Sequence, residues 1–186
     1  VGASGTLAAS EVARAAPDGY TMLIGRVTPL LIQPSLDPKL SYRFGDFTVL
    51  GILEIDPLIC LVKSDSPWQN ARELIMAIRK QPGHFKYATV GSGSINDLAT
   101  QYWLNLSGLK AGAAVPLHFD GSAEINAALI SGKVQFFCGV AAGMLPKIKA
   151  GTFRPLFTTA PGRLPELPEL RNASEVGLRD MGKVTA

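Results

Sequence analysis

The sequence predicts an α/β fold. Short apolar runs alternate with segments of helical periodicity, glycine and proline punctuate the joins, and the composition is globular. Of the 186 residues 47% are apolar and 18% charged, far from the charge-rich, apolar-poor compositions that stay disordered.

The elements follow in order. Thr6 to Ala16 reads as a helix, with Leu7, Val12, Ala13 and Ala16 on one face, and Pro17-Asp18-Gly19 stops it. Tyr20 to Gly25 is a near-continuous apolar run, as in a strand covered on both faces. Residues 26–47, with Pro29, Pro34 and Pro38, read as loop. Thr48 to Leu53 and Leu58 to Val62 read as strands separated by Glu54-Ile55-Asp56-Pro57. Ala71 to Lys80 is amphipathic, its Ala71, Leu74, Ile75 and Ile78 at i, i+3, i+4 and i+7, and Pro82-Gly83 ends it.

Phe85 to Val90 reads as a strand. Gly91-Ser92-Gly93-Ser94 then leads into a helix from Ile95 to Leu106, where Ser94 and Asp97 have the form of a capping box. Val115 to Phe119 is a strand, Asp120-Gly121 a turn, and Ser122 caps a helix running to Ser131. Val134 to Cys138 and Arg154 to Thr159 are strands flanking a short helix from Met144 to Lys149. Glu166 to Gly177 reads as proline-punctuated loop, and the tail from Met181 as loose.

Several functions are disfavoured. The net charge is only +3 and the basic residues are scattered, so a nucleic-acid surface is not expected. No apolar run reaches the length of a membrane span, so the chain is not read as an integral membrane protein. There is no Gly-x-Ser-x-Gly elbow and no Gly-Lys-Ser/Thr loop, and Gly91-x-Gly93 is followed by Asn96 instead of the glycine of a dinucleotide fingerprint. His84, His118, Cys60 and Cys138 show no metal-ligand spacing. Neither an enzyme, a metal site nor a cofactor is expected. The cysteines lie in apolar runs and read as buried free thiols. A single bridge is the alternative, and needs the two Cα atoms within about 7 Å.

Two small-residue loops each open a helix, Gly2-Ala3-Ser4-Gly5-Thr6 and Gly91-Ser92-Gly93-Ser94. Helix N-termini present unpaired N–H groups and partial positive charge, and glycine admits a ligand close to the backbone. Each loop is a candidate carboxylate seat, and two of them across a cleft would grip an anion from both sides.

These loops, with Pro17-Asp18-Gly19-Tyr20-Thr21, Asp46-Phe47-Thr48, Tyr87-Ala88-Thr89-Val90 and Gly151-Thr152-Phe153-Arg154-Pro155, resemble the receptors of tripartite tricarboxylate transporters, the Bug-type periplasmic solute-binding proteins, in order and spacing. The resemblance runs from Val1 to about Arg179. It implies a type II periplasmic-binding-protein fold of two α/β lobes joined by two crossover strands, the first lobe incomplete here. Residues 1–55 and 155–186 would belong to lobe one and 56–154 to lobe two, with crossovers near Glu54 to Pro57 and Gly151 to Pro155. The chain shows no initiator Met and no leader-like segment, so a targeting segment has been removed or the chain starts within the fold.

The function implied is capture of a small carboxylate or amino acid for membrane permease subunits. A sensor kinase partner, or the effector domain of a transcription regulator, is the alternative. The ligand-contacting residues implied are Ala3, Ser4, Gly5, Thr6, Thr28, Ser92, Gly93, Ser94, Ile95, Asp120, Gly121 and Ser122. Asp120 stands where the family often has a basic residue, and would suit a ligand ammonium.

Overall fold

In the computed structural model, which describes residues 5–184, five strands form one mixed sheet ordered β3-β2-β4-β1-β5. The strands are β1 (Leu58–Lys63), β2 (Phe85–Thr89), β3 (Ala114–His118), β4 (Phe136–Val140) and β5 (Phe153–Thr158). β2 runs parallel to β3 and β4, whereas β1 is antiparallel to both β4 and β5. Around them lie α1 (Thr6–Arg14), a π-helical turn (Thr28–Ile32) running into α2 (Gln33–Leu36), α3 (Ala71–Lys80), α4 (Ile95–Leu106), α5 (Ser122–Ile130) and α6 (Ala141–Lys149).

Side chains of β1 alternate between the faces of the sheet, as the period of a strand requires. Leu58, Cys60 and Val62 enter a core with Leu74 and Ile78 of α3 and Trp103 of α4. Ile59 and Leu61 enter the opposite core with Ile125 and Leu129 of α5 and Met144 of α6. Trp103 packs edge-on against Phe136 and Phe157, with ring centroids 5.7 and 5.0 Å away. The result is a sheet with helices on both faces.

The apolar positions predicted for α3 are the ones buried, and the Asn70 side chain caps the helix by accepting from Glu73 N–H at 3.0 Å. α4 has the predicted bounds, and α6 starts earlier than predicted, at Ala141. Gly121, not Ser122, occupies the N-cap position of α5.

Two predicted strands do not form. Tyr20 to Gly25 and Thr48 to Leu53 join no ladder, and Tyr20, Ile24 and Leu50 are 92%, 82% and 80% exposed. An apolar run becomes a strand only when another strand completes its hydrogen bonds, and these runs have no such partner among the described residues. Within the described part of the segment expected with lobe one, Ala173, Leu178 and Met181 enter one core of the sheet and Leu170 the other. Of the expected crossover Gly151 to Pro155, Gly151 and Thr152 turn from α6 into the edge strand β5, which begins at Phe153.

The free-thiol reading of the cysteines is corrected. Cys60 and Cys138 stand directly opposite in the β1–β4 ladder, with Cα atoms 4.0 Å apart, and form a disulfide. Apolar surroundings suggested free thiols, but the register places the two sulfurs face to face.

Candidate carboxylate cleft

The parallel strands β2 and β4 end side by side, so α4 and α6 begin at the same edge of the sheet. Open α/β sheets bind ligands at that carboxyl edge. A cleft of about 450 Å³ lies there, within the range of small-molecule sites. One wall is Val90, Ile95, Asn96, Val140, Ala142 and Gly143. The other is Gly5 and Ala8 at the start of α1 together with Leu23 to Pro29, and Asp56 also lines the cleft. The lining is mostly apolar, with Arg26, Thr28, Asp56 and Asn96 as its polar side chains.

The start of α1, α4 and α6 all border this space. Gly5 caps α1 with φ at 88°, a left-handed conformation that favours glycine. First-turn N–H groups lack intrahelical acceptors. In α6, Ala141 N–H is taken by Pro57 O at 2.9 Å and Ala142 N–H by Asp56 Oδ1 at 3.4 Å. In α4, Ile95 N–H is taken by Thr28 Oγ1 at 3.2 Å, a bond that ties the two walls together. Asn96 and Gly143 come next along each helix and lie on the cleft wall, where their N–H groups suit an anion.

In the Gly91-Ser92-Gly93-Ser94 loop, the Gly93 and Ser94 donors are taken up within the loop and the first turn of α4. Gly93 N–H donates to Asp97 Oδ2 at 2.9 Å and Ser94 N–H to Gly91 O at 3.2 Å. The Ser94 hydroxyl is fully buried, meets Thr89 Oγ1 at 3.0 Å, and accepts from Asp97 N–H at 3.4 Å as the helix cap. Asp97 thus reaches back to Gly93, not to the cap residue. Gly93 faces α2, since a Cβ built on it would lie 2.6 Å from Leu36 Cδ1. Ser92 is exposed and its carbonyl accepts weakly from Gln33 Nε2 at 3.5 Å.

Of the predicted contacts, Gly5, Thr28 and Ile95 line the cleft; Ser92, Gly93 and Ser94 do not. Thr6 is buried but does not line it. Ala3 and Ser4 lie outside the described residues. Asp120, Gly121 and Ser122 lead from β3 into α5 and do not line the cleft, and Asp120 N–H donates to Glu124 Oε2 at 3.3 Å. The sequence reading missed Arg26, Asp56, Asn96 and the Ala142-Gly143 turn. Only the chain order of β4 and α6 carried a signal for the last, and proline-rich surroundings hid Arg26.

Arg26 is paired to Glu54 at 3.0 Å, with both side chains about half exposed (53% and 56%). Such a pair holds its members weakly. Asp56 is only 7% exposed. Burial first, and then the neighbouring Glu54 carboxylate, raise its pKa, against hydrogen bonding from Ala142 and the charge of Arg26.

A doubly covered sheet with helix starts converging on a mostly apolar cleft has the architecture of the periplasmic-binding class. The chain belongs to the family described as "Tripartite tricarboxylate transporter family receptor", which matches residues 1–186. This is a family of solute-binding receptors and not of enzymes.

Among solved structures, MatC from Rhodopseudomonas palustris with bound malate is 29% identical, with a TM-score of 0.85 over 97% of this chain and 60% of that one. Rpa4515 of R. palustris with adipate is 28% identical, with a TM-score of 0.84 over 95% and 58%. A UPF0065 protein of Bordetella pertussis is 28% identical over 95% of this chain and 54% of its own length. The chain thus spans about half the length of the curated relatives it matches. No described helix is long and apolar enough to cross a membrane.

Proposed function

We propose that the protein is an extracytoplasmic receptor that captures a small carboxylate in this cleft and delivers it to permease subunits of a tripartite tricarboxylate-type transporter. The observation that carries the reading is the convergence of Asn96 on α4 and Gly143 on α6 at one cleft. Each helix start offers backbone donors and the positive end of a helix dipole. Arg26 stands beside them, held only by an exposed ion pair. The malate and adipate of the two similar structures agree in chemistry. The Cys60–Cys138 disulfide suits an oxidising compartment such as the periplasm. In this reading residues 1–55 supply one lobe wall, and the sheet unit from Asp56 onward supplies the other.

The test is calorimetric titration of mono-, di- and tricarboxylates into the complete natural polypeptide that carries this sequence. A control is available at Gly143, where a Cβ meets nothing within 4 Å and projects from the cleft lining. Gly143→Leu should fold normally and weaken the best carboxylate at least about tenfold, or 1.4 kcal/mol. Binding of no carboxylate, or undiminished binding by Gly143→Leu, would overturn the reading.

A further inference from the structure

Among the described residues Asp56 is the one acid lining the cleft, and half of its carboxylate has no partner. The side chain is more than nine-tenths buried. Oδ1 accepts from Ala142 N–H at 3.4 Å, while Oδ2 is buried with no hydrogen-bond partner among the described residues. The acid cannot easily turn away. Pro57 follows it, and Pro57 O is fixed by Ala141 N–H at 2.9 Å. The nearby Arg26 guanidinium makes no ion pair with it and lies on Glu54 at 3.0 Å. Leaving a buried acceptor unmade is unfavourable, so an unpaired one at a cleft calls for a partner, and a bound ligand can supply it.

We propose that Asp56 is a specificity-determining residue whose Oδ2 accepts a hydrogen bond from an ammonium or hydroxyl carried by the bound carboxylate. The inference rests on the carboxylate reading above and narrows it to carboxylates with a donor substituent. The ligand's carboxylate sits at the first turns of α4 and α6, and its donor points to Asp56 beside the start of α6. An unsubstituted acid leaves Oδ2 unpaired and adds a second negative charge near it. An ammonium both donates and neutralises, so it is preferred to a hydroxyl. The raised pKa of Asp56 agrees, since it reports a carboxylate short of stabilising partners. Asp120, expected from the sequence to meet a ligand ammonium, does not line this cleft.

The probes are succinate, malate and aspartate, which share a skeleton and differ in hydrogen, hydroxyl and ammonium, with glutarate and glutamate as a longer pair. They are titrated calorimetrically into the complete natural polypeptide and its Asp56→Asn variant. Asn keeps an oxygen for Ala142 N–H but presents N–H₂ where Oδ2 stood. The expected result is that the ammonium-bearing member of a pair binds at least about tenfold tighter than its unsubstituted partner, with malate between succinate and aspartate. In Asp56→Asn the ratio falls to about threefold or less while the unsubstituted acid still binds. A ratio between two ligands on one variant does not depend on the folded fraction. Equal or tighter binding of the unsubstituted acids overturns this inference and leaves the carboxylate reading standing, as does discrimination that survives in Asp56→Asn. Binding of none of the probes overturns this inference, and the broader carboxylate panel then decides the other.

Discussion

Tyr87 donates its phenolic hydroxyl to Asp97 Oδ1 at 2.7 Å, joining β2 to the first turn of α4 beneath the glycine loop. Gln101 Nε2 reaches the same oxygen at 2.8 Å and Gly93 N–H takes Oδ2 at 2.9 Å. Both residues are buried, and burial together with the carboxylate pushes the Tyr87 pKa up. Asp97, read from the sequence as half of a capping box, is therefore spent inside the protein, shaping the loop that leads to the cleft. Tyr87→Phe should cost about 1–2 kcal/mol in denaturant unfolding, and Asp97→Ala about 2–4, because it orphans several buried donors. Asp97→Ala with unchanged stability would show that the network does not order the loop.

Gly93 has φ at 68°, and a Cβ there would come within 2.6 Å of Leu36 Cδ1. Substitution there disturbs packing as well as backbone, so Gly93 is not a clean probe of binding. Gly93→Ala should lose about 1–2 kcal/mol from the left-handed backbone alone. Leu36→Ala in the same chain should recover only the steric part, since Leu36 is exposed and its tip can swing aside. A double-mutant cycle by thermal unfolding separates the two. Full recovery would mean that the contact, and not the backbone, fixes glycine there.

The Cys60–Cys138 bond closes a loop with a sequence separation of 78. Alkylation of the unfolded, unreduced protein should find no free thiol. Replacing both cysteines by alanine should remove about 2–4 kcal/mol, chiefly by releasing the unfolded chain. Complete alkylation without reductant would contradict the pairing.

Asp56 sets a pH dependence whose sign follows from its environment. Its folded pKa is raised above the ordinary value of 3.8, first by burial. A raised acid costs stability while ionised. The free protein should therefore gain stability as pH falls through the raised folded value, with the full gain reached below the ordinary one. At pH 7 the unliganded Asp56→Asn variant should have the higher Tm, and the difference should shrink as pH falls toward the ordinary value of 3.8. A destabilised variant across that range would show that Asp56 is satisfied in the free protein.

Helices were the legible part of this fold because their period is written locally. Leu74, Ile75 and Ile78 announce their own burial, and Ser94 announces the start of α4. Strands were legible only where the chain supplies their neighbours. β1 has β4 and β5 beside it, whereas the equally apolar Tyr20 to Gly25 has none among the described residues. The cysteine pairing depends on register between strands far apart in sequence, which periodicity does not encode. The site was half legible. Gly5, Thr28 and Ile95 were found through motif and resemblance, but Asp56 reads as a linker residue until β1 and α6 bring it under a helix start.

The central claim is that the cleft holds a carboxylate at the first turns of α4 and α6. A crystal structure of the complete natural polypeptide, grown with the tightest carboxylate from the titrations, tests it most directly. The expected result is a carboxylate oxygen about 2.7–3.2 Å from the backbone nitrogen of Asn96 or Gly143, with any donor substituent turned toward Asp56. A ligand carboxylate bound away from both helix starts, such as at the Asp120 to Ser122 turn, would contradict it.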